Sequence, residues 1–79
     1  MDVEIVYYSA PWCAPCKKLW PRVEKLAQEH RFPIEKVDIS DKQIPGILSV
    51  PTIRVYAGGS LVYQGADDRS LRMFLERGL

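Results

Sequence analysis

Two cysteines, Cys13 and Cys16, are the only ones in a chain of 79 residues, and they are spaced Cys-x-x-Cys. Sulfurs this close can open and close one disulfide. The surrounding stretch reads Trp12-Cys13-Ala14-Pro15-Cys16. An apolar run, Val3 to Tyr8, precedes it, and a run of helical period, Cys16 to His30, follows it. A strand leading in and a helix leading out would place the first sulfur at a helix N-terminus. Backbone N–H groups and the helix dipole favour negative charge there, so they stabilise a thiolate. A Cys-x-x-Cys beside a βαβ pattern therefore reads as a dithiol redox site.

Other uses of two cysteines compete with this one. They could form a structural disulfide or remain as core thiols, although a lone pair in a reducing compartment points to catalysis or metal binding. A metal site needs four ligands, and this chain offers two Cys and one His, with His30 far along the helix. Zinc or an iron–sulfur cluster would then require two chains to share ligands, so no metal and no cofactor beyond the disulfide is expected. Eleven Lys plus Arg against ten Asp plus Glu leave a net charge of +1. That balance gives no reason to expect a nucleic-acid or membrane-surface partner. No apolar run approaches the roughly 20 residues of a membrane span. Met1-Asp2-Val3-Glu4 reads as the approach to a strand and not as a signal peptide. The expectation is a cytoplasmic, monomeric, single domain over residues 1–79.

The elements that must position the cysteines follow from pattern. Val3 to Tyr8 is rich in β-branched and aromatic residues and nearly continuous in apolarity, as in a central strand covered on both faces. Leu19, Trp20, Val23, Leu26 and Ala27 form one helix face, with Pro21 interrupting it. Pro33 to Ile39 reads as a second strand after a right-handed crossover. Asp41 to Gly46 reads as a turn or one short helical turn. Thr52 to Tyr56 and Leu61 to Gln64 read as strands joined by a Gly58-Gly59 turn. A last helix follows, with an Asp of the Asp67-Asp68 pair as its N-cap and Leu71, Phe74 and Leu75 facing inward. The closure is α/β: a four-stranded mixed sheet with flanking helices, abbreviated βαββα. The link from the second strand to the third is too short for a long helix. One sheet face is therefore thinner, and Arg54 fits it.

These residues resemble the thioredoxin–glutaredoxin family over nearly the whole chain. Trp12 to Lys17 looks like the thioredoxin active-site loop, with Ala14 where thioredoxins usually carry Gly. Pro21 falls where the family's first helix carries its kinking proline. Val50-Pro51-Thr52 looks like the family's cis-proline turn, which faces the cysteines. Gly65 falls where thioredoxins have a glycine beside the substrate groove. The resemblance implies a thioredoxin-like fold in minimal form, lacking the extra N-terminal strand and helix of a full thioredoxin. It also implies a thioredoxin-like protein-disulfide reductase. Two positions depart from the family. Tyr7 stands where thioredoxins bury a proton-carrying Asp, and Ser9 stands where a Trp packs under the active site. The Tyr7 hydroxyl, Lys36, a water or the substrate must then serve as proton carrier.

The roles implied are these. Cys13, at the exposed end of the helix, attacks a disulfide of a client protein, and Cys16 resolves the mixed disulfide. Pro15 stiffens the loop, and Trp12 rims the substrate site. Val50, before Pro51, offers its backbone to an extended client segment. Disulfide-containing client proteins are the expected partners, and a thioredoxin reductase or glutathione is the electron donor. Chain length and outline are those of a glutaredoxin. Asp67-Asp68 resembles the acidic position glutaredoxins use near the glutathione amine, so a glutathione-dependent glutaredoxin is the alternative function. A metal-sharing or client-binding module without turnover is the third.

Overall fold

The computed structural model describes residues 2–78. Its elements are β1 (Val3–Ser9), α1 (Ala14–His30), β2 (Ile34–Asp38), β3 (Thr52–Ala57), β4 (Ser60–Gly65) and α2 (Asp68–Arg77). The order is βαβββα, one strand more than the βαββα shorthand writes out. The sheet runs β2-β1-β3-β4. Strands β1 and β2 are parallel, while β1–β3 and β3–β4 are antiparallel. A parallel pair needs a crossover, and α1 supplies it.

β1 is central, and its near-continuous apolar run is buried on both faces. Val3, Ile5 and Tyr7 point to one face and meet Val23, Leu26 and Ala27 of α1 and Leu71 and Leu75 of α2. Val6 and Tyr8 point to the other face, where Ile47 is the only further buried hydrophobic residue in the cluster. This is the thinner face, and the Arg54 guanidinium lies over the Tyr8 ring at 5.5 Å. The alternation along β1 thus puts both helices on one side and a single loop on the other.

Two features of α1 differ from the pattern reading. Helix α1 begins at Ala14, because Pro15 suits the first turn, where N–H groups have no intrahelical partner. Pro21 lies inside α1, which runs unbroken to His30 and closes on Arg31 in the left-handed conformation. Residues 41–46 form turns, the first of the two alternatives read from the sequence. Gly58 and Gly59 both have positive φ, +59° and +84°, as a two-residue hairpin turn requires. Among the described residues, no helix is long and apolar enough to cross a membrane.

Candidate active site

The site is built where β1 gives way to α1. The Cys13 N–H donates to the Ala10 carbonyl at 3.1 Å, closing a turn that delivers Cys13 to the helix. Cys13 is the N-cap, with extended backbone (φ −92°, ψ 98°). An N-cap side chain usually accepts a backbone N–H with oxygen. Here the Cys13 Sγ takes that position and accepts the Cys16 N–H at 3.2 Å. The two cysteines are joined as a disulfide, with Cα atoms 5.3 Å apart. A negative sulfur at Cys13 would face the partial positive charge of the α1 N-terminus.

Exposure does not separate the two sulfurs as the sequence reading supposed. Cys13 is 4% exposed and Cys16 2%, and both belong to the main core cluster. What distinguishes Cys13 is its capping position. Ala14 and Pro15 are exposed, and Trp12 is 72% exposed, so these residues form the rim.

Beneath the pair, the Tyr7 hydroxyl donates to the Cys16 carbonyl at 2.6 Å. Burial pushes the Tyr7 hydroxyl up to about 12, so it keeps its proton across the neutral range. Its ring packs tilted against Trp20 at 5.2 Å, and the Lys36 ammonium lies 5.0 Å from the centre of the Trp20 ring. A cavity of about 230 Å³ opens beside Cys16, lined by Ser9, Lys17, Lys36 and Asp38 among others. Asp38 accepts the Ser40 N–H at 2.8 Å, which holds its carboxyl below the usual range. The sequence reading missed Asp38 here. Its signal was the two-residue spacing from Lys36, which puts both on one side of β2.

The third wall comes from residues 39–51. The Val50–Pro51 bond is cis. Val50 packs against the cluster holding Cys13 and Cys16, and Pro51 is half-buried. Thr52 Oγ1 donates to the Ser49 carbonyl at 2.7 Å, fixing the turn before β3. Gly65 pairs with Ile53, which pairs with Tyr7, so it lies in the sheet row of the residue beneath the disulfide. A Cβ there would collide with the Tyr63 hydroxyl.

Other residues fall outside the site. His30 stacks on Phe32 at 5.6 Å at the far end of α1. Asp67 Oδ1 accepts the Ser70 N–H at 2.7 Å as N-cap of α2, and the Asp68 carboxylate lies 3.9 Å from Arg22. The acidic pair that supported a glutathione reading is thus engaged in capping and pairing. Among the described residues, no three His, Cys, Asp or Glu side chains are grouped to hold a metal ion.

A disulfide at the N-cap of the crossover helix, on a mixed sheet whose β3 is preceded by a cis-proline turn, defines the thioredoxin-like class. The thioredoxin family model matches residues 2–77, and the chain belongs to that family. Thioredoxin 1 of Plasmodium falciparum is 32% identical over 96% of this chain and 80% of its own length. Thioredoxin 1 of Nostoc sp. is 34% identical over 73% of this chain, and the match spans 60% of that relative's length. Among solved structures, a thioredoxin from Halobacterium salinarum superposes with a TM-score of 0.82 at 32% identity, covering 95% of this chain and 73% of that one. The glutaredoxin alternative finds no favour here.

Proposed function

We propose that the chain is a thiol–disulfide oxidoreductase that reduces disulfides in client proteins. The observation that carries this reading is the disulfide at the α1 N-terminus, with Cys13 Sγ capping the helix through the Cys16 N–H. In the reduced protein the same geometry stabilises a Cys13 thiolate. That thiolate attacks one sulfur of a client disulfide, and the other client sulfur leaves as a thiolate and takes a proton. Cys16 then loses its proton and attacks Cys13 Sγ. The client leaves with both sulfurs reduced, and the Cys13–Cys16 disulfide carries the oxidation.

The exposed Trp12, Ala14 and Pro15 receive the client on one side of Cys13. Val50, Pro51 and Thr52 offer backbone to an extended client segment on the other, and Gly65 borders the groove. The redox group is the disulfide itself, without a further cofactor. A thioredoxin reductase restores the dithiol, in keeping with the family of the relatives. The protein acts as a monomer in the reducing cytoplasm, where its disulfide is transient and catalytic.

The test is a pair of variants. Cys13→Ser abolishes reduction of insulin disulfides, and Cys16→Ser accumulates covalent mixed disulfides with the client. Equal trapping by the two variants, or faster alkylation of Cys16 than Cys13 in the reduced protein at neutral pH, overturns the assignment of roles. Recharging by glutathione plus glutathione reductase, with none by a thioredoxin reductase, overturns the electron donor.

A further inference from the structure

The connection from β2 to β3, residues 39–51, has no helix or strand of its own, yet it carries Val50 and Pro51. Such a connection is held only by what its side chains and carbonyls meet. On the thin face its apolar anchors are Ile47, buried with Val6 and Tyr8, and the partly buried Ile39, Ile44 and Val50 packed against them. Polar anchors stand beside these. Arg54 of β3 donates from Nη2 to the Pro45 carbonyl at 2.8 Å. Its Nε donates to Gln64 Oε1 at 2.9 Å, and its Nη1 to the Tyr56 hydroxyl at 3.3 Å. Gln64 of β4, directly opposite Arg54 in the sheet, donates in turn from Nε2 to the Gly46 carbonyl at 3.3 Å. Two side chains on neighbouring strands thus grip two consecutive carbonyls of the loop.

Gly46 fits this grip in two respects. Its φ is +83°, which favours glycine. A Cβ there would also lie 2.6 Å from the Arg54 Nη2. The guanidinium lies 5.5 Å from the centre of the Tyr8 ring and is bonded to Gln64 and Tyr56 of the sheet, so its fork is held from outside the loop. A lysine could keep the charge and reach one acceptor, but it could not serve all three.

We infer that Arg54, seconded by Gln64, is a positioning residue for client docking: from the sheet face away from α1 it sets the path of the loop that brings Val50 against the core cluster holding the cysteines. This rests on the reading that client segments dock beside Val50. Arg54 touches neither sulfur. Its effect should therefore fall on productive binding of a protein client and spare the exchange chemistry at Cys13.

Steady-state reduction of insulin, with dithiothreitol as reductant, tests this. Arg54→Met is expected to raise the insulin KM roughly tenfold with kcat unchanged, a change on the scale of losing one charge-assisted hydrogen bond. Arg54→Lys should lie between, and Gln64→Ala should raise KM less than Arg54→Met. The rate with a small aromatic disulfide, which needs no docking strand, should stay within twofold, as should the Cys13 alkylation profile against pH. An unchanged insulin KM in Arg54→Met overturns the inference, as does an equal loss with the small disulfide. If Arg54→Met fails to fold, Gln64→Ala decides on the same readouts, since its side chain is exposed and its loss leaves the core intact. Failure of the wild type to reduce insulin would instead refute the oxidoreductase reading, so the two failures are distinguishable.

Discussion

Tyr7 stands where a proton carrier was expected, and Tyr7→Phe isolates what its hydroxyl does. The ring is fully buried and would remain, so no cavity opens. What is lost is the 2.6 Å bond to the Cys16 carbonyl. That carbonyl is not orphaned, because in a regular helix the Trp20 N–H also reaches it. The loss is therefore the net worth of one neutral hydrogen bond, about 1 kcal/mol at pH 7. For a domain of this size that lowers Tm by roughly 4–8 °C. The alkaline limb has the opposite sign. The fold raises the Tyr7 hydroxyl from 10.0 to about 12, so the folded state holds its proton more tightly than the unfolded chain does. The resulting stability is complete below pH 10 and is lost as pH rises toward 12, at up to about 1.4 kcal/mol per pH unit. Tyr7→Phe lacks this loss, so the two stability curves should converge and cross at about pH 11. Urea unfolding of the oxidised proteins from pH 7 to 11.5 measures this. Insulin reduction at pH 7 should stay within twofold, because a hydroxyl that keeps its proton and donates it to a carbonyl is no general base. A tenfold fall in rate, or a shifted pH–rate profile between pH 6 and 9, would refute this reasoning and make Tyr7 the proton carrier.

Two further substitutions test the frame around the site. Asp67→Ala removes the N-cap of α2 and should cost about 1 kcal/mol in denaturant unfolding at pH 7. Because its bond to the Ser70 N–H holds the Asp67 carboxyl below the ordinary range, that stability is present above the usual carboxylate pKa and fades as pH falls, so wild type and variant should converge in acid. Gly65→Ala places a methyl on the Tyr63 hydroxyl, forcing apart the 2.5 Å contact between Tyr63 and Ser70. Unfolding should show a loss of roughly 1–3 kcal/mol, and no loss would mean that β4 yields there without strain.

The main elements were legible because their signals are local. The near-continuous apolar run of β1, the helical spacing from Leu19 to Ala27 and the paired glycines at 58–59 each state their structure within a few residues. The start of α1 was less legible. Ala14 and Pro15 lie in its first turn but are exposed, so the apolar periodicity begins only at Cys16. The burial of Cys13 was not legible, since it depends on a core cluster assembled from β1, α1, β3 and α2, which are distant in the chain. The grip of Arg54 on Pro45 was hidden for the same reason. Alternation along β3 placed Arg54 on the thin face but could not say what it holds. At Tyr7 the sequence left core and proton carrier both open, and the bond to Cys16 is what assigns it as a donor.

The sheet divides the interior unequally: thirteen buried residues lie in one cluster and three in the other. Val50 is the one described residue that packs against both. The smaller cluster is closed mainly by partly buried residues, Ile39, Ile44 and Val50 among them, so it is the natural seat of sub-global opening, in which one segment lets go while β1, α1 and α2 remain assembled. Opening there releases Ile47 and with it one of the two contacts that hold Val50. The frame around the sulfurs is thus as rigid as the whole fold, whereas the surface beside them can rearrange at a local free energy. Under the proposed function, a client would meet its adaptable surface on the segment that can open and its reactive centre on the part that stays assembled.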